Sequence, residues 1–235
     1  MAASMVSLRT DAGSSFGAYL AKPDRPNDAG VVILQEIFGV NANMRSVADA
    51  WASVGFTAIV PDLFWRQQPG VELDPATDRE RATELMRGLN SDLAVQDALL
   101  AAAYVCSLHG ANGKVGAVGY CLGGKLAYLL SMQAGIDFAA SYYGVGIQGA
   151  LDQMGAVRCP LLLHLAEEDQ LCPPEAQAAI ERAATPHSNR VEVMRYPGVG
   201  HAFARRGSPV FDQQSAERAD TATRELLRTH LVGAS

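Results

Sequence analysis

One cysteine stands inside a glycine-rich turn, "VGAVGYCLGG" from Val115 to Gly124, where its sulfur could serve as a nucleophile toward an acyl carbon. Gly119-x-Cys121-x-Gly123 has the spacing of a nucleophile elbow with sulfur in place of the serine oxygen. A strand runs into such a turn and a helix runs out of it. The bend is so sharp that its flanking positions have no room for side chains, which accounts for the glycines. At the start of the helix the unpaired N–H groups and the helix dipole favour thiolate over thiol. The competing reading is an inert cysteine filling a tight connection.

An elbow of this kind needs an acid and then a histidine, in that chain order, each in a loop after a strand. Asp169 follows the apolar "PLLLHLAEED", and His201 follows "VEVMRYPGVG". The imidazole would carry protons between sulfur and substrate or water, and Asp169 would hold its tautomer and orientation. Glu167 and Glu168 compete for the role of the acid. His164 lies inside an apolar strand and reads as core, whereas His109, His187 and His230 read as helix-end or surface residues.

The elements that must position these groups follow from hydrophobic periodicity. "SMVSLRT" and "SFGAYLAKP" form a hairpin at a sheet edge around the Asp11–Gly13 turn. Buried strands are expected at Gly30–Gln35, "TAIVPD", "KVGAVG", "FAASYYG" and "PLLLHLAEED", with a last strand at Arg190–Tyr196. Helices are expected at Met44–Val54, Asp78–Gly88, Asp92–Leu108, Leu122–Met132, Glu175–Ala184 and Phe211–Leu231. This alternation predicts one α/β domain over residues 1–235, with a doubly wound, mostly parallel sheet, helices on both faces and an N-terminal edge hairpin. Ligands of such sheets bind beyond the carboxyl ends of the strands. That directs attention to Gln35–Phe38, Tyr120–Leu122, Glu167–Asp169 and Gly200–Phe203.

Composition narrows the partners. With 49% hydrophobic and 19% charged residues the chain has the balance of a globular protein. The net charge of −6 and a pI of about 5.3 argue against nucleic acid. No run approaches the roughly 18–20 apolar residues that span a bilayer. No basic start with an apolar stretch behind it marks export, so a cytoplasmic protein with reduced thiols is expected. Cys106, Cys121, Cys159 and Cys172 lack CxxC spacing, so no metal site is expected.

The segments "LQEIFGVNANMR", "PDLFWRQQPGVELDP", "GKVGAVGYCLGGKLA", "YYGVG" and "GVGHAFAR" resemble the dienelactone hydrolases, or carboxymethylenebutenolidases, of the α/β-hydrolase superfamily. The resemblance implies a cysteine hydrolase of aromatic-compound degradation. It would open an unsaturated lactone to a dicarboxylic acid such as maleylacetate. It gives Glu36 the role of taking the thiol proton when substrate enters; the competing reading of Glu36 is a salt bridge, for instance with Arg45. It places the oxyanion hole at the N–H groups of Ile37 and Leu122, and substrate-carboxylate binding at Arg81 and Arg205. Phe38, Phe64, Trp65, Tyr143 and Phe203 are candidate apolar walls.

This chain departs from the family pattern at Leu85 (tyrosine), Gly88 (tryptophan) and Ala202 (serine), which suggests a less polar, roomier pocket. The expected partner is an anionic small-molecule lactone or ester, with no cofactor, no membrane, and a monomer or weak homodimer. Two other functions are weighed: a broader carboxylesterase or lactonase, and a binding protein that kept the fold. Cys172, near Asp169, reads as a loop filler.

Overall fold

A computed structural model describes residues 1–232. Eight strands form one sheet in the order β1-β2-β4-β3-β5-β6-β7-β8, the mostly parallel plan that the alternation predicts. The chain falls into two compact units, Met1–Gly116 and the described residues from Ala117 onward. Among the described residues no helix is long and apolar enough to cross a membrane.

In the first unit β1 (Ala2–Arg9) and β2 (Ser15–Lys22) form the antiparallel hairpin, closed at Arg9 opposite Ser15. β2 pairs antiparallel with β4 (Thr57–Pro61), and β4 pairs parallel with β3 (Gly30–Leu34). Every residue of β3 is buried, as a strand covered on both faces requires. α1 (Ala42–Ser53) begins where the Asn41 side chain accepts from the Met44 N–H at 3.2 Å. α2 (Arg79–Gly88) and α3 (Ser91–Cys106) follow. Asp97 of α3 is buried, accepts two bonds from the Arg66 guanidinium, and accepts from Trp65 Nε1 at 2.9 Å. Trp65 stacks on Phe16 at 5.4 Å, so the hairpin, the loop after β4 and α3 are tied at one point.

β5 (Val115–Tyr120) leads into the second unit. α4 (Leu122–Leu130) follows it, then β6 (Phe138–Tyr142), β7 (Leu161–Ala166), α5 (Pro174–Ala184), β8 (Val191–Tyr196) and α6 (Gln213–Leu227). β7 pairs parallel with both β6 and β8. β6 stops one residue earlier than its apolar run, because Tyr143 takes φ of 41° and leaves the strand. A 3-10 segment at Ile147–Ala156 buries Ile147, Ala150 and Met154. Its glycines and the break at Ala150 (φ −138°) hide any helical period in the sequence. α6 starts at Gln213 rather than Phe211, because Asp212 caps it by accepting from the Ser215 N–H at 2.8 Å.

Candidate active site

The second unit assembles Cys121, Asp169 and His201. Cys121 occupies the cap position before α4 with φ 56° and ψ −113°, a conformation that side chains rarely adopt. Its N–H is held by the Tyr142 carbonyl at 3.0 Å, and its carbonyl accepts from Gly124 and Val145. The neighbouring glycines are steric necessities. A Cβ on Gly119 would stand 1.9 Å from the Gly123 oxygen, and one on Gly124 would stand 2.7 Å from Gly144 Cα. Leu122 is the first helical residue, and among the described residues its N–H has no acceptor, as expected at a helix start.

Asp169 follows β7 and is buried, whereas Glu167 and Glu168 are exposed. Its Oδ1 accepts from the Leu171 N–H at 2.8 Å, and its Oδ2 lies 2.8 Å from His201 Nδ1. One oxygen anchors the carboxylate and the other orients the ring. Burial alone would push the imidazole down, yet the Asp169 carboxylate and the Cys121 sulfur together lift His201 to about 10. Nε2 of His201 is buried and completes no hydrogen bond of ordinary geometry, although the Cys121 sulfur faces the ring closely enough to raise its basicity.

Tyr143 completes the group as a wall. Its ring meets His201 edge-on at 5.1 Å and Phe203 at 5.4 Å. Ala202, beside His201, also has positive φ, 66°. Cys121, Tyr143 and Ala202 are three of the four non-glycine residues with positive φ among those described. Such strain costs about 1–3 kcal/mol each and concentrates where a protein holds reactive groups. Cys172 is buried, and burial followed by the Asp169 charge pushes its thiol up to about 11, which suits the expected loop filler. His164 is core, as expected, and burial drives it down to about 3. Arg205 is half-buried in the loop after His201.

The first unit holds the other residues singled out above. Glu36, Ile37 and Phe38 are buried just after β3. Arg45 is engaged elsewhere than the Glu36 salt bridge would require: it pairs with Glu72 at 2.7 Å and donates to the Val40 carbonyl at 2.8 Å. Arg81 is exposed, paired with Glu84 at 2.9 Å and donating to Gln68 at 2.8 Å. Trp65 is committed to Asp97 and Phe16, and Phe64 is fully buried.

At Gly88, where a roomier pocket is expected, the side chain of Gln67 lies against the backbone. Its Oε1 stands 2.3 Å from where a Cβ on Gly88 would be, and its Nε2 donates to the Leu85 carbonyl at 2.9 Å. An amide occupies that space, and no sequence signal marks a glutamine twenty-one positions away as its occupant.

Comparison with known proteins agrees with this geometry. The model of the dienelactone hydrolase family matches residues 16–231. Carboxymethylenebutenolidase 1 of Cupriavidus pinatubonensis is 38% identical over 224 residues, covering 94% of this chain and 95% of that protein. A carboxymethylenebutenolidase of Pseudomonas putida is 36% identical over 226 residues, covering 94% of each. The solved structure of a dienelactone hydrolase-like promiscuous phosphotriesterase from metagenomic libraries superposes with a TM-score of 0.75 at 19% identity, covering 98% of this chain and 99% of that one. That last likeness bears on the fold. The chain belongs to the dienelactone hydrolase family and is a hydrolase of the α/β-hydrolase fold.

Proposed function

We propose that the protein opens an unsaturated lactone of the dienelactone type to a dicarboxylic acid such as maleylacetate, through a Cys121 acyl-enzyme. The observation that carries this reading is Cys121 held at positive φ on a helix start, with His201 fixed by Asp169 at 2.8 Å and acting on the same sulfur. The thiolate attacks the lactone carbonyl, the carbonyl oxygen takes the negative charge, and the Leu122 N–H is a donor for it. The ring C–O bond then breaks and the oxygen leaves as an enolate, which later takes up a proton. Water, deprotonated by His201 Nε2, attacks the thioester and releases Cys121 as thiolate.

The two stages ask opposite things of His201, and its environment supplies both. While the sulfur is free it helps keep the ring protonated. Acylation removes the sulfur's contribution, the pKa of His201 falls, and the neutral ring can act as a base on water. Sulfur, imidazole and water supply every step without a cofactor. The roles of Glu36, Ile37, Arg81 and Arg205 belong to the same proposal and rest on the family resemblance, as does an anionic substrate.

Incubation with a carboxylated dienelactone should show loss of its ultraviolet absorbance. A thiol-reactive trap should be found by mass spectrometry on Cys121, and a label on Cys172 instead would sink the mechanism. A broader carboxylesterase is the second reading, favoured by the departures at Leu85, Gly88 and Ala202. Turnover of neutral esters equal to that of carboxylated ones would select it.

A further inference from the structure

The proposed reaction leaves unused a second set of polar groups in the same unit. Tyr142, His164, Tyr196 and Thr223 are fully buried, on β6, β7, β8 and α6. They form one line. Tyr196 Oη is 2.8 Å from His164 Nδ1, and His164 Nε2 is 2.8 Å from Thr223 Oγ1. Thr223 Oγ1 is 2.9 Å from Tyr142 Oη, which is 3.1 Å from Asp220 Oδ1. Asp220 Oδ2 accepts from the Arg206 guanidinium at 3.1 Å.

Counting protons gives this line a direction. Burial keeps His164 neutral, so it carries one N–H. Burial raises the Asp220 pKa above the usual carboxylate value, against the pull of Tyr142, Arg206 and Arg224, and with the Arg206 guanidinium on its other oxygen the carboxylate can only accept. Tyr142 therefore donates to Asp220, Thr223 to Tyr142, His164 Nε2–H to Thr223, and Tyr196 to His164 Nδ1. Run the other way, the line would set the Tyr142 oxygen against a carboxylate with no hydrogen between them. The contact of Tyr196 with Met194 Sδ, at 3.7 Å, is a weaker use of the same proton.

Both ends of the line reach the loop that carries His201. Arg206 belongs to that loop, which is closed by the Asp212 N–H donating to the Phe203 carbonyl at 2.9 Å. Phe203 stacks on Tyr196 at 4.8 Å and meets Tyr143 edge-on. The Tyr143 N–H donates to the His164 carbonyl at 2.9 Å, and its ring lies against His201. Stability alone would be served as well by apolar side chains of similar volume, so a fully satisfied buried line points to placement.

We propose that Asp220 is a positioning residue for His201, holding its loop through Arg206 and through the directed line Tyr142–Thr223–His164–Tyr196. The proposal rests on the reading of His201 as the base. Nitrogen-15 NMR should find His164 protonated on Nε2 in the wild-type protein, and Thr223→Val should move that proton to Nδ1. Arg206→Ala is an exposed change that leaves the core intact. It should lower kcat about tenfold, with KM changed less than about twofold. Asp220→Ala should do the same, and the double variant should be no worse than either single one.

An Nδ1 proton in the wild type, unchanged kcat in both single variants, or losses that multiply in the double variant would each overturn the proposal. Full turnover by His201→Gln would instead remove the reading of His201 on which it depends.

Discussion

Two buried carboxylates, one in each unit, are treated in opposite ways. Asp97 is saturated: a permanently charged guanidinium grips both oxygens and an indole N–H adds a third donor. Asp169 is given one backbone N–H and one titratable ring, and the far nitrogen of that ring completes no ordinary hydrogen bond. The backbones differ in the same sense. Positive φ in the first unit falls on glycines apart from Asp28, whereas in the second it also falls on Cys121, Tyr143 and Ala202. A saturated buried charge fastens elements together. One left partly open, in a strained frame, is the arrangement that proton transfer would need.

The same conservative change at the two acids should break this contrast most sharply. Asp169→Asn is expected to lower kcat by about 10²–10⁴-fold, because the ring loses both its orienting charge and its preferred tautomer. Stability should change little beside that. Asp97→Asn is expected to do the reverse. The Arg66 end is a third exposed and screened, so the loss should be about 1–3 kcal/mol in a denaturant titration. Activity per folded molecule should hold. Equal losses of kcat in the two variants would remove the distinction.

Stability against pH gives a gentler test. His201 folds with a pKa raised to about 10, above its unfolded value near 6.5. Its contribution is therefore complete below about pH 6.5 and is lost as pH rises toward 10. His164 is depressed to about 3, so its contribution is complete above about pH 6.5 and is lost as pH falls toward 3. Thermal melting should show both limbs, and Asp169→Asn should flatten only the alkaline one. The smallest effect belongs to Cys172→Ala. Its buried, protonated thiol should be silent in turnover, and a loss beyond about twofold would give it a part in the site.

Much of this was open to sequence reading. The elbow glycines, the order Cys121, Asp169, His201 and the alternation of strands and helices are local patterns, and local sterics enforce them. The 3-10 segment after β6 was not readable, since its apolar residues follow no clean period. Tyr143 could be suspected as a wall but not as a strained residue ending β6. Gln67 and Asp220 carried no signal, because glutamine and aspartate in such contexts are ordinary surface residues.

By itself, then, the sequence determined which residues are candidates for the chemistry and in what order the chain presents them, since a turn that excludes side chains and a strand that excludes water are properties of neighbouring residues. Only the tertiary structure decided which of these side chains meet. It put Asp169 rather than an adjacent glutamate against His201, set Arg45 on Glu72, filled the space at Gly88 with Gln67 and joined His164 to Asp220. Each of those outcomes turns on a few tenths of an ångström between side chains. Most of these pairs are brought together across tens of residues, and hydrogen bonds and buried charges are decided at that scale.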